Sequence, residues 1–341
     1  MNLFVGSTAN EAWLCAASAL RGDEAVPIEG RGGRARELLH AAFEVRNPRE
    51  RWVHGREPAM NPAFAIAEFV WIIAGRDDSA FVDFWNPALP RFAGNVDVYH
   101  GAYGARLRRR FGFDQLARAA EALASNAATR QVVLQIWDPT SDMPHADGEP
   151  AALDIPCNVS SLLKVRSGKL EWLQVIRSND IFLGVPHNFV QFMTLQEVLA
   201  GWIGVDVGTY VQVSDSLHVY ERDRVALAAS DDTTPAVNTD RFVEPRTNSL
   251  AYFRALATAM DEMRLADCSA VRCVELALQL DAPAAYLNCA FVVAADAARR
   301  HGGEDEAQRV MDECSNPMLR RLWSRWLERC SRRRSLATAI S

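Results

Sequence analysis

Residues 155–188 read IPCNVSSLLKVRSGKLEWLQVIRSNDIFLGVPHN, the stretch with the densest chemistry in the chain. Pro156-Cys157 opens a β-like run, Ser167-Gly168 supplies turn residues that reverse the chain, and a second run ends on Arg177-Ser178-Asn179-Asp180. A hairpin of that register brings the Cys157 thiol and the Arg177 guanidinium together. Thiolate is the reactive form of cysteine, and a neighbouring cation favours it. Cys157 is therefore a candidate nucleophile; taken alone, it also reads as a small buried apolar residue.

The whole chain has 341 residues and is 49% hydrophobic, enough for one large domain or two ordinary ones. No apolar run approaches the roughly 18 to 20 residues that span a bilayer, so a cytoplasmic protein without membrane contact is expected. Seven cysteines without a CxxC pair read as reduced thiols, and neither a disulfide framework nor a metal site is expected. The formal net charge of -6 argues against nucleic acid as a partner, while a few local arginines can still hold a small anion. The only lysines, Lys164 and Lys169, flank the hairpin turn.

Upstream, a weak strand precedes a helix at Asn10–Leu20. Arg31-Gly32-Gly33-Arg34 is a basic turn, suited to phosphate or simply solvated, that leads into the apolar-periodic Glu37–Val45. Asn61–Gly75 reads as a buried helix with Gly75 as its stop. Glu68 sits there among Phe64, Ile66, Phe69, Val70 and Trp71, and an acid so placed either lines a cavity or is paired. Arg108–Arg110 reads as a solvated helix face, Asp114–Ser125 as a helix, and Gln131–Trp137 as a strand led by Thr129-Arg130.

Downstream, Phe189–Ile203 reads as an apolar helix, and Asn188 with Gln191 three residues on fits a capping box. Tyr210–Val213 is a short strand. His218 and Tyr220, two apart, share one side of an extended segment. Residues 225–248 are polar loop and 249–335 Ala- and Leu-rich helices. The expected fold class is α+β: a mixed β-sheet core with flanking helices over residues 1–225, and a helical layer at 226–341 packed on it.

Seven motifs in one order carry a resemblance across residues 29–225: Glu68-Phe69-Val70-Trp71 closing at Gly75, Tyr103-Gly104, Thr129-Arg130, Pro156-Cys157, Arg177-Ser178-Asn179-Asp180, Gly184-Val185-Pro186-His187-Asn188, and Leu217-His218-Val219-Tyr220. The chain resembles the thymidylate synthase and pyrimidine nucleotide hydroxymethylase family. The resemblance implies a one-carbon transferase that uses 5,10-methylenetetrahydrofolate, needs no metal and acts on a pyrimidine nucleoside monophosphate. Cys157 would add to C6 of the base, turning C5 into an enolate-like nucleophile. Glu68 and Tyr103 would manage water and protons. Arg31, Arg177 and Ser178 would hold the phosphate, joined by Arg130 from the other subunit of a homodimer. His218 and Tyr220 would hold the sugar, Asn188 would read the base, and Asp180 with Trp71 would meet the folate.

Asn158 stands where thymidylate synthases usually have His, Gln131 where a second arginine is usual, and Ala337–Ser341 only loosely resembles the aliphatic tail that closes the synthase site. Arg-Ser-Asn-Asp and Ser-Leu-His-Val-Tyr look more like the phage-type hydroxymethylases. Since water access decides whether the C5 methylene gains hydroxide or hydride, hydroxymethylation is the expected outcome. The alternatives are a divergent synthase methylating dUMP or UMP and, more remotely, an inactive nucleotide-binding homologue. Asn188 tilts the base towards uracil.

Overall fold

The computed structural model describes residues 2–30, 32–227 and 236–340, with side chains to residue 332. Arg31 and the side chains of the 337–341 tail therefore lie outside the described residues. Seven strands form one mixed sheet: β1 (Leu3–Gly6), β2 (Val26–Gly30), β3 (Gly33–Val45), β4 (Val133–Gln135), β5 (Asn158–Arg166), β6 (Lys169–Asp180) and β7 (Asp206–Tyr220). Their order is β1-β3-β7-β6-β5-β4, with β2 also paired to β3. This is the expected α+β core, a mixed sheet with flanking helices.

The β5–β6 hairpin turns on Ser167 and Gly168, at φ 50° and 71°. Two consecutive left-handed residues make the tight turn whose twist matches paired antiparallel strands. β6 and β7 run parallel, so they need a crossover, and the helix Gly184–Ile203 supplies it. That helix ends on Gly204, whose φ of 80° suits a residue without Cβ. It packs on β6 and β7 and carries the helix Pro62–Ile73 on its outer side. Asn61 caps the latter by accepting from Ala63 N at 2.9 Å and Phe64 N at 3.3 Å.

Alternation decides which residues reach the core. On β6, Leu170, Trp172, Gln174 and Ile176 are buried, while Leu173 and Val175 stay half-exposed on the other face. Five later helices, Arg246–Met263, Ala270–Leu278, Ala284–Arg300, Glu304–Asp312 and Pro317–Ile340, form the helical layer. They join the same apolar core: Phe69 meets Phe242 and Phe253 with ring centroids 6.0 and 6.2 Å apart. Arg76 grips Asp261 at 2.6 Å across the same boundary.

Four expectations shift. The helix expected from Phe189 begins at Gly184, directly after a turn in which the Asp180 carboxylate accepts from Phe182 N (2.7 Å) and Leu183 N (3.0 Å); Leu183 is its Ncap and no side chain caps it. Asn188 is therefore inside the helix and caps nothing. The Tyr210–Val213 strand is the middle of the longer β7, and the Gln131–Trp137 strand shrinks to β4. On Arg108–Arg110 the expected solvated face holds for the exposed Arg109 and Arg110, which pair with Asp77 and Asp138 at the surface, while Arg108 is half-buried against Asp114.

Candidate active site

The register Asn158↔Ile176 places Arg177 beside Cys157, and Arg177 N donates to Cys157 O at 2.9 Å. Its guanidinium turns to the main chain: Nε donates to Pro156 O at 2.9 Å and one terminal nitrogen to Ile155 O at 3.1 Å. It also lies over the Trp137 ring, 5.3 Å from the centroid. Arg177 thus pins the loop that presents the half-buried Cys157. Ser178 pairs with Ser216 on β7 and is half-exposed.

Tyr103 arrives from a separate segment. A Cβ on Gly104 would sit 2.8 Å from the Ile72 backbone, so glycine is what lets this turn dock on the helix Pro62–Ile73. The Tyr103 hydroxyl is held well above its ordinary pKa, first by burial and next by the negative charge of a Cys157 thiolate; a hydrogen bond with Asn158 works against both. Asp154 and Glu68 add smaller contributions of the same sign as the thiolate. One phenol therefore feels the thiol, the amide beside it and the buried acid at once. That phenol stays protonated and can donate.

Glu68 is not a solitary acid. Its Oε2 lies 2.5 Å from His187 Nδ1, and both side chains are 18% exposed. His187 stands inside a quoted motif, but its role was illegible because its partner lies on a helix 119 residues away in the chain.

Asn158 is fully buried in a chain of amides. Gln174 Nε2 donates to Asn158 Oδ1 (3.0 Å), Asn158 Nδ2 to Asn188 Oδ1 (3.1 Å), Asn188 Nδ2 to Asn179 Oδ1 (3.1 Å), and Asn179 Nδ2 to Ser214 Oγ (3.0 Å). At its head, Gln174 Oε1 accepts from Ser161 Oγ (2.6 Å) and Trp172 Nε1 (3.1 Å). The buried polar positions of the hairpin face, Ser161 and Gln174, were the available signal, since polar residues inside an alternating apolar strand need partners.

The other expected residues are dispersed around this centre. Asp180 pairs with His218 between β6 and β7; burial raises its carboxyl above the usual range, opposed by Leu183 N–H and by His218. His218 and Tyr220 stack edge to face at 5.3 Å, and a Cβ on Gly32 would collide with the Tyr220 ring. Trp71 is 8% exposed, with its indole N–H spent on Asp78 O at 3.0 Å, so only its ring is available. Arg130 stands apart: it is exposed ahead of the edge strand β4. Among the described residues, no cluster of three or more His, Cys, Asp or Glu is arranged for a metal ion. None of their helices is long and apolar enough to cross a membrane.

A family model described as thymidylate synthase matches residues 58–254. The chain is 34% identical over 244 residues to the deoxyuridylate hydroxymethyltransferase of Bacillus phage SP01, covering 68% of this chain and 62% of that protein. It is 33% identical over 197 residues to the deoxyuridylate hydroxymethyltransferase of a Pseudomonas phage, covering 57% and 55%. A thymidylate synthase from Symbiobacterium thermophilum is 27% identical over 218 residues, covering 59% and 72%. The chain thus spans less than two thirds of the length of these phage relatives.

Proposed function

Because the chain belongs to the thymidylate synthase family, we propose that it transfers a one-carbon unit from 5,10-methylenetetrahydrofolate to C5 of a pyrimidine nucleoside monophosphate, leaving a hydroxymethyl group. The observation that carries this reading is the convergence of Cys157, Asn158, Asp154 and Glu68 on the Tyr103 phenol. The phage relatives named as deoxyuridylate hydroxymethyltransferases support the hydroxymethyl outcome and a uracil base.

The residues act in sequence. Cys157, as thiolate, adds to C6, and the electron pair displaced to the C4 carbonyl makes C5 nucleophilic. The folate would supply the carbon at the formaldehyde oxidation level and leave as tetrahydrofolate once the C5 proton is removed. Asn188 holds the N3–C4 edge of the base, Arg177 steadies the Cys157 loop, and Ser178 with Arg177 faces the phosphate side. The protonated Tyr103 and the Glu68–His187 pair are placed to order water and move the C5 proton. Water then adds hydroxide to the C5 methylene, and elimination of Cys157 restores the ring. Asp180 keeps one carboxylate oxygen beyond the two N–H groups that bind the other, which suits the N–H edge of a pterin, and Trp71 offers its ring.

We also place the enzyme in a homodimer. Leu162, Leu173, Val175, Val211 and Val213 line the half-exposed face of the sheet, which suits a second sheet, and the exposed Arg130 is free to enter a partner's phosphate site.

The test is incubation with dUMP, UMP, dCMP and CMP plus methylenetetrahydrofolate, followed by product mass and dihydrofolate absorbance. A hydroxymethyl product without dihydrofolate is expected. A methyl product with dihydrofolate would make the chain a synthase, and no product with any nucleotide would remove the activity altogether.

A further inference from the structure

Every member of the amide chain Gln174–Asn158–Asn188–Asn179 can be satisfied in two senses, because a carboxamide turned by half a rotation exchanges donor for acceptor. The tail casts no vote: Ser214 Oγ can accept from Asn179 or donate to it. Ser161 Oγ at the head is equally indifferent. Trp172 is different. An indole nitrogen is a donor only, so Gln174 must present oxygen to it. Gln174 must then donate to Asn158, which must donate to Asn188, which must donate to Asn179. Trp172 is 1% exposed, so water cannot substitute for this contact.

We infer that Trp172 is a positioning residue that, through Gln174 and Asn158, locks the Asn188 amide in one sense and makes the site read one pyrimidine base and reject the other. The inference rests on the proposed function, in which Asn188 holds the N3–C4 edge. Uracil and cytosine differ along that edge by exchange of donor and acceptor, so one sense of the amide satisfies one base and opposes the other. Asn188 retains one lone pair and one N–H for the base after its two neighbours are served.

Two substitutions at positions that do not touch the nucleotide separate this from a merely structural role. Trp172→Phe keeps a ring against Phe192 but removes the sole donor-only group, so both senses become available. Gln174→Glu presents acceptors at both ends: Trp172 still donates to one oxygen, Asn158 turns to donate to the other, and the whole chain reverses with each bond remade.

Affinities of dUMP and dCMP are measured by calorimetry for wild type, Trp172→Phe and Gln174→Glu, with a circular dichroism melt for each. Wild type is expected to prefer one base, Trp172→Phe to shrink that preference by about tenfold, and Gln174→Glu to reverse it. Two folded variants with an unchanged preference ratio would overturn the inference and leave the nucleotide site standing. If Trp172→Phe fails to fold, the direction of the Gln174→Glu ratio decides alone. Wild type binding neither nucleotide would strike the proposed function itself, and the inference with it.

Discussion

His187 Nδ1 sits 2.5 Å from Glu68 Oε2 and ties the start of the crossover helix to the middle of the buried helix beneath it. The pair engages one carboxylate oxygen, Oε2. Glu68→Gln should lower turnover by about 10²–10⁴-fold, the range for a positioned acid or base. His187→Ala, which frees the carboxylate without removing it, should cost about tenfold, mostly in kcat rather than KM. Steady-state kinetics would check both; a change confined to KM would assign His187 to binding instead.

Cys157→Ala should abolish tritium release from C5-labelled nucleotide, because no group remains to activate C5. Nucleotide affinity should change only a few-fold, since Arg177 keeps its contacts to Pro156 and Ile155 through backbone carbonyls that the substitution leaves in place. Residual tritium release in the variant would remove Cys157 from the mechanism.

The helical layer completes the core of the sheet half. Deleting residues 236–341 strips Phe242 and Phe253 from Phe69 and leaves the helix Pro62–Ile73 bare. Each large side chain so exposed forfeits about 1.5–3 kcal/mol, and several together exceed an ordinary folding stability. Fragment 1–235 should be insoluble or lack cooperative melting. A soluble fragment with a sharp melt would instead make the helices an independent module.

Asp240 lies at 7% exposure and accepts from Asn288 and Asn316, both at 2.6 Å. Burial pushes its carboxyl up to about 6, with the two amides pulling the other way. The folded value exceeds the unfolded one of about 3.9. Its stabilising contribution is therefore full below about pH 4 and lost as pH rises through about 6. The melting temperature of wild type relative to that of Asp240→Asn should fall as pH rises across that window. A constant gap would show that Asp240 does not titrate there.

Val175→Asp places a charge in the middle of the half-exposed sheet face without touching the amide chain on the other side. It should convert a dimer to monomers in sedimentation and weaken nucleotide binding, and Arg130→Ala should reproduce the binding loss while the dimer survives. Dimers that persist in Val175→Asp would move the interface elsewhere.

The β5–β6 hairpin was legible because its signals are local: two turn residues at Ser167-Gly168, alternation on either side, and a proline before the cysteine. Asn188 was misread as a cap for a related reason. Asn with Gln three residues later satisfies the local rule, but the helix already starts four residues earlier, at Gly184, with Leu183 as its Ncap and no side chain capping it. Local rules rank candidates and cannot see which one the chain has used. β7 looked short because Ser214, Asp215 and Ser216 break its apolar pattern after Val213, and Ser214 is buried where Asn179 donates to its hydroxyl.

By itself the sequence determined the kit of reactive groups and their order: a thiol after a proline, a strand-end arginine, a buried acid, a phenol beside a glycine and a His-x-Tyr pair. Residue type and spacing settle these. Tertiary structure alone decided that Glu68 is held by His187, that Arg177 turns to the backbone, and that the amides run one way from Trp172 to Ser214. Hydrogen-bond direction is a property of a whole connected network. Its sense is set by one donor-only indole, and although Trp172 and Asn188 share one stretch of sequence, nothing in that stretch shows that Gln174 and Asn158 join them.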